Sequence, residues 1–346
     1  MQQPQNCPLA KPSDALAFRS MVATIIDQLV STSYVLHHMA KQAGFKPSSP
    51  PLQTAVTLSL FAFVVLAWGL NWTVTKFIVA EITPLWATAI RTTIAAVMLL
   101  PILILTRQLI VPSRRDLPVV LAISLFHMVA FSALMTAGLK YVPVGRSVVL
   151  GYTTPLWVAP AAWLLMGEPL PPRRITGIAL GLAGIVVMFN PTTLNWHDQN
   201  AIFGNGLLLL SALAWSVSIL YTRAHRWIAT PFQLVFWEIL LATVILTPLA
   251  YVFEGSPKII FSAPLLIALG YSGAVGNALG FWAMTVVNRS VPATTTSIGI
   301  LFTPIVGIAS SVIVLHETVD TQLIIAASMI LTGVLVATLN RSRRPS

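Results

Sequence analysis

The sequence is poor in charge and almost devoid of cysteine. Only 9% of its 346 residues are Asp, Glu, Lys or Arg, against about a quarter in a soluble domain. With 56% hydrophobic residues and a mean hydropathy of +0.82, the composition is that of a polytopic membrane protein. The single cysteine, Cys7, lies in the polar start of the chain. An intramolecular disulfide is therefore excluded, as is cysteine ligation of zinc or an iron–sulfur cluster. No Walker motif, His-Glu-x-x-His stretch or Gly-x-Ser-x-Gly elbow occurs, which speaks against ATP drive, a zinc protease and a serine hydrolase. None of the aspartates (Asp14, Asp27, Asp116, Asp198, Asp320) falls in an apolar run, which disfavours magnesium-dependent prenyl transfer. An integral-membrane enzyme is thus the weakest of the classes considered, and no metal or cofactor is expected. A channel would need a filter or a charged ring, and neither is present. The net charge of +10 does not form a nucleic-acid patch, because the basic residues are scattered in short loops.

Ten apolar runs are present, at about 57–77, 84–105, 117–139, 147–166, 173–190, 204–222, 231–252, 264–285, 292–315 and 321–339. Each is about long enough to cross a bilayer. A leader, residues 1–53, precedes them. From Ser13 it carries apolar residues at helical spacing (Phe18, Met21, Val22, Ile25, Leu29, Leu36), with Ser13 or Asp14 as a cap. Asp27 makes it too polar to span, so it reads as a surface-lying or poorly ordered cytoplasmic extension. Residues 341–346 form a basic tail. Of the 20 Lys and Arg, fifteen fall on the side of both termini. Lys76, Lys140, Arg146 and Lys258 fall on the other, and Arg91 lies within a run. This asymmetry places both termini in the cytoplasm, with the chain multi-pass in a plasma (inner) membrane.

The runs divide into two copies. Ala67-Trp68 matches Ala214-Trp215, and Pro84 matches Pro231, at an offset of 147. Thr154-Pro155 matches Thr303-Pro304, Glu168 matches Glu317, and Gly184 matches Gly333, at 149. The expected fold is all-α, with ten transmembrane helices in two five-helix repeats, residues 54–190 and 204–340. Five is odd, so the second copy enters the membrane inverted, an architecture of secondary transporters. Pro155 and Pro304 each fall mid-run, where a proline should free the carbonyl four residues back, that of Gly151 or Ile300. These prolines are candidate hinges.

Together, Trp68-Gly69-Leu70-Asn71, Pro84 seven residues before Arg91, and Gly167-Glu168 with its echo His316-Glu317 resemble the EamA-type proteins of the drug/metabolite transporter superfamily. The resemblance covers about residues 57–340. It implies a cavity surrounded by helices 1, 3, 4, 6, 8 and 9, and movement of a metabolite, often export. The second copy departs from the pattern: Arg91 corresponds to Glu238, and Trp68-Gly69-Leu70-Asn71 to Trp215-Ser216-Val217-Ser218.

Ionisable groups deep in a membrane cost about 2.5–3.5 kcal/mol on insertion scales and mark function. Arg91 is a candidate to grip a substrate carboxylate in a bidentate fork. Glu238 and His127 are candidates for proton coupling, and His127 also for donation to substrate. A direct Arg91–Glu238 pair is possible only if the long arginine bends towards the glutamate, the two depths differing by about a third of the hydrocarbon core. Asn71, Tyr152, Thr153, Ser211, Ser218, Asn277 and Trp282 complete the expected lining. Glu168 and Glu317, at helix ends, are read as structural or gating elements, with Arg173 or Arg174 as partners for Glu168. The reading is a secondary-active transporter exporting a small metabolite, such as an amino acid, by alternating access. A broad drug or cation exporter is the alternative. Such exporters often need a carboxylate in helix 1, and none is there.

Overall fold

In the computed structural model, residues 50–189, 197–291 and 293–338 are described. Chain contacts divide the protein into two units, Met1–Val56 and Thr57–Ser346. The leader's amphipathic stretch and cap, Pro292 and the basic tail lie outside the described residues. The described residues contain helix and no strand. The protein is an all-α membrane protein.

In chain order the helices are α1 (Pro50–Glu81), α2 (Pro84–Leu105), α3 (Leu117–Tyr141), α4 (Val144–Met166), α5 (Pro172–Met188), α6 (Gln199–Ala224) and α7 (Pro231–Glu254). α8 passes through Ala263–Gly270, Tyr271–Leu279 and Gly280–Ser290. α9 is in two pieces, Ala293–Gly299 and Phe302–Leu315, and α10 is Thr321–Thr338. Eight are long and apolar enough to cross a bilayer: α1 from Ala55, α2, α3, α4, α6, α7, α8 and α10. The 17 residues of α5 and the 14 of the longer piece of α9 are shorter than that. Apolar side chains such as Leu105, Leu165, Val186, Val252 and Ile313 point outward, as a lipid-facing surface requires.

Several helix pairs cross between the two copies with close packing. α5 lies against α10 through Gly177, Gly181 and Gly333. A Cβ on Gly177 would come within 2.6 Å of the Gly333 carbonyl, so only hydrogen at this position lets the backbones meet. α1 lies against α9, where Thr73 and Ser310 share a buried 2.6 Å hydrogen bond. α2 packs on α7, with Leu99, Leu234, Ile239 and Leu246 in the core between them.

The Thr-Pro positions break their helices. α4 ends a first segment at Gly151 and restarts at Thr154, with Pro155 in the first turn. The missing proline N–H then falls among the first amides of a helix, which have no intrahelical partner anyway. The expectation of free carbonyls is corrected. The Thr154 hydroxyl donates to the Gly151 carbonyl at 2.9 Å, and the Thr303 amide donates to the Ile300 carbonyl at 3.0 Å. The threonine before each proline supplies the bond the proline removes, by side chain in α4 and by backbone in α9.

α3 and α8 share a different irregularity. Each contains a nine-residue π-helical segment, Ile123–Phe131 and Tyr271–Leu279, at matching places in the two repeats. Such segments cost hydrogen-bond quality and recur at functional sites.

Candidate substrate-binding cavity

The two π segments face a cavity of about 90 Å³, room for several waters. α1 contributes Trp68, Asn71 and Trp72 to its wall, three and four residues apart and so on one helical face. This face is tied to α8. The Trp68 indole N–H donates to the Gly276 carbonyl at 2.9 Å, the Ser272 hydroxyl to Asn71 Oδ1 at 2.7 Å, and the Tyr271 hydroxyl to the Ala67 carbonyl at 3.2 Å. Gly276 has to be glycine for this contact, because a Cβ there would sit 2.8 Å from Asn71 Oδ1. The Trp-Gly-Leu-Asn stretch is thus an α1–α8 clasp as well as a lining.

Rings make up much of the remaining wall. His127 of α3 stacks on Trp215 of α6, with centroids 5.2 Å apart and planes 3° from parallel. Phe281 meets the same imidazole edge-on at 6.0 Å. Tyr152, at the break in α4, stands edge-on to Trp215 at 6.1 Å. Phe131, Ile239 of α7 and the amide of Asn277 also line the space.

Arg91 is the cation of the cavity and is 2% exposed. Its Nη1 donates to Thr75 Oγ1 at 2.8 Å, and its Nε has no partner. A guanidinium carries five N–H donors. Leaving a buried polar group unsatisfied costs about 1–3 kcal/mol, and more when it is charged. The geometry therefore provides a fixed cation with spare donors beside an open volume.

The structure gathers five sequence-predicted residues at this cavity: Asn71, Arg91, His127, Tyr152 and Asn277. Thr153, Ser218 and Trp282 are not among its lining residues. The Thr153 hydroxyl is buried, donating to the Leu150 carbonyl at 2.6 Å and accepting from the Trp157 indole at 3.2 Å. Ser218 is buried within the packed helices, and Trp282 packs on the α2–α7 core. Ser211 donates to the Leu208 carbonyl of its own helix. Among the described residues, α9, one of the helices implied by the resemblance, supplies no lining residue, whereas α2 and α7 do. α9 packs on α1 and α4. Glu238 is buried, with Oε1 unpartnered, but it does not line the cavity. No ion pair joins Glu238 to Arg91 among the described residues. Trp68, Trp72, Phe131, Trp215 and Phe281 are lining residues that sequence reasoning misses. The available signal is the spacing of Trp68 and Trp72, and the repeat match of Trp68 with Trp215.

The helix-end glutamates behave differently from each other. Glu317, at the end of α9, accepts from the amides of Val144 at 2.9 Å and Gly145 at 3.3 Å. It caps the start of α4, where a carboxylate complements the helix dipole. Glu168, its repeat partner at the end of α4, pairs with Arg223 of α6 at 2.9 Å and with the expected Arg174 at 3.5 Å. Arg173 is not a partner in these pairs. A third anchor joins the α2–α3 and α6–α7 loops. Asp116, which is inaccessible to solvent, accepts from His225 at 2.9 Å and from the amides of Ile228 and Ala229 at 3.3 and 3.2 Å. Burial pushes its carboxyl up. The bonds from His225, Ile228, Ser113 and Ala229 more than offset this, and the group is held below the ordinary carboxylate range.

Both halves of the chain are matched in known proteins. The chain matches the EamA-like transporter family over residues 55–190 and again over 202–339. The chain belongs to the EamA-like transporter family. One family model thus matches the chain twice in succession. Among curated relatives, it is 26% identical over 281 residues to the "Uncharacterized transporter YoaV" of Bacillus subtilis (strain 168), covering 81% of this chain and 96% of that protein. It is 23% identical over 287 residues to the "Probable amino-acid metabolite efflux pump" of Escherichia coli (strain K12), covering 80% and 93%. A crystal structure resembles its fold with a TM-score of 0.55 at 20% identity, covering 82% of this chain and 96% of that one. Family membership and the apolar helices make this chain a multi-pass membrane transporter.

Proposed function

We propose that this EamA-family protein is a secondary-active exporter of a small carboxylate-bearing metabolite, working by alternating access across ten membrane spans with both termini in the cytoplasm. The observation that carries this reading is Arg91, buried beside the cavity with an unpartnered Nε and, among the described residues, no carboxylate paired to it. Amino acids are one such class, and the Escherichia coli relative is named for amino-acid metabolites. Among the described residues the lining contains no Asp or Glu, which disfavours the cation exporter. Glu238 and His127 are the groups proposed for proton coupling. The inequality of the two glutamates supports alternating access. One end is latched, with Glu317 of α9 holding the start of α4, whereas at the other end Glu168 is engaged with Arg223 and Arg174 instead. Rocking about Pro155 and Pro304 would exchange these states.

The test is efflux from cells overexpressing the chain, screened across amino acids and other organic acids. Arg91→Ala and His127→Ala are compared with the parent at equal membrane levels. Loss of efflux in both supports the site. Normal efflux in both sinks the site assignment, and reconstituted protein that moves nothing down any gradient sinks the transporter reading.

A further inference from the structure

The charge inventory of the cavity is one-sided. Arg91 has donors to spare, and among the described residues no acidic side chain lines the space. Glu317 and Glu168 are engaged at the helix ends. Asp116, Asp198 and Asp320 lie outside the spans. The buried carboxylate on the neighbouring α7, Glu238, neither lines the cavity nor pairs with Arg91. One incoming carboxylate would complete Arg91 in a charge-assisted fork. A second carboxylate would meet no second cation. An ammonium would meet only neutral acceptors, and of these Asn71 Oδ1 already accepts from Ser272.

We infer that the cavity selects a monocarboxylate with a planar apolar body, and discriminates against the same body carrying an α-ammonium. The ammonium of an amino acid is fixed two bonds from its carboxylate. It cannot reach a favourable site elsewhere while the carboxylate is held by Arg91, and it sits in the guanidinium's repulsive field. Aromatic faces attract a cation only weakly compared with the water it gives up. The same faces suit a planar apolar body. The stacked His127–Trp215 plane offers a flat wall, and Phe281, edge-on to it, offers a second. This inference rests on the transport reading only for the crossing step. Binding is a separate measurement.

The experiment uses the full chain, purified in detergent, with four probes sharing one phenyl body: 3-phenylpropanoate, phenylalanine, phenethylamine and phenylsuccinate. Equilibrium dialysis with labelled 3-phenylpropanoate gives its affinity, and displacement gives the others. The expected order is 3-phenylpropanoate first, phenylalanine and phenylsuccinate at least tenfold weaker, and phenethylamine without effect. Arg91→Gln should abolish binding. Trp215→Leu, which leaves the cation in place, should weaken it several-fold and serves if Arg91→Gln does not fold. Phenylalanine binding as tightly as 3-phenylpropanoate, displacement by phenethylamine, or no binding by any probe would overturn the inference. Counterflow in proteoliposomes with the same probes separates the two claims. The expected binding order without counterflow sinks the transport reading and leaves this one. Preferential counterflow of phenylalanine sinks this one and leaves the transport reading.

Discussion

Removing the Glu317 carboxylate should release α4 from α9 at one end of the bundle. Glu317 accepts from two amides, those of Val144 and Gly145, at 2.9 and 3.3 Å. Both belong to the first turn of α4, whose N–H groups have no partner within the helix. The side chain is half-buried, so the loss belongs in the range of helix caps, about 0.5–2 kcal/mol. If the capped state is one of two in exchange, that shifts their ratio roughly 2- to 30-fold, at about 1.4 kcal/mol per factor of ten. Met135 lines the cavity and lies on α3, near the helix end that leads into α4. In a Cys7→Ser background, Met135→Cys provides one thiol for a membrane-impermeant maleimide added from the Glu317 side. Glu317→Ala should raise its labelling rate within that range, with Glu317→Gln intermediate because an amide oxygen can still accept one bond. Glu168→Gln loosens the other end. It removes a partly exposed ion pair worth about 0–1 kcal/mol, and should leave the labelling unchanged or lower it. An unchanged rate in Glu317→Ala, in protein with a normal gel-filtration profile, would refute the latch.

Three further outcomes are expected. Asp116→Asn should lower thermal stability in detergent at neutral pH by about 1.5–3 kcal/mol, the scale of hydrogen bonds to a charged group. Because the folded carboxyl is held below its ordinary value, that contribution is complete above the unfolded pKa near 3.9. The difference in melting temperature from the parent should persist from pH 7 to about pH 5 and close only below about pH 4; a gap that closes near pH 6 would refute this assignment to the Asp116 carboxylate. Gly276→Val should drive a side chain into Asn71 and break the α1–α8 clasp, abolishing efflux while membrane insertion, read by the level of full-length protein in washed membranes, is retained. Replacing Pro155 and Pro304 together by Ala should slow turnover more than it lowers membrane level; equal loss of both would assign these prolines to packing alone.

Much of the site is legible in the linear order of residues. Arg91, His127, Asn71, Tyr152 and Asn277 stand out because polar groups in apolar runs are costly and need a reason. Thr153 and Ser218 satisfy the same rule and do not line the cavity. A hydroxyl in a helix can bond to a carbonyl three or four residues back, and Thr153 does so. That alternative is invisible to composition. The ring wall escapes for the opposite reason: tryptophans and phenylalanines in an apolar run look the same whether they face lipid, core or cavity.

The sequence by itself determined the membrane class, the duplication and the breaks at Pro155 and Pro304. These follow from hydropathy, periodicity and the missing proline N–H, all local properties. Only the tertiary structure decided which atoms the breaks leave free, and the Thr154 hydroxyl and Thr303 amide leave neither carbonyl unpaired. It also decided that Arg91 faces a cavity without a carboxylate, and that Glu317 reaches α4. The last two outcomes depend on contacts between residues far apart in the chain, Glu317 and Val144 being 173 positions apart. Helix rotation and packing set such contacts, and no local pattern encodes them.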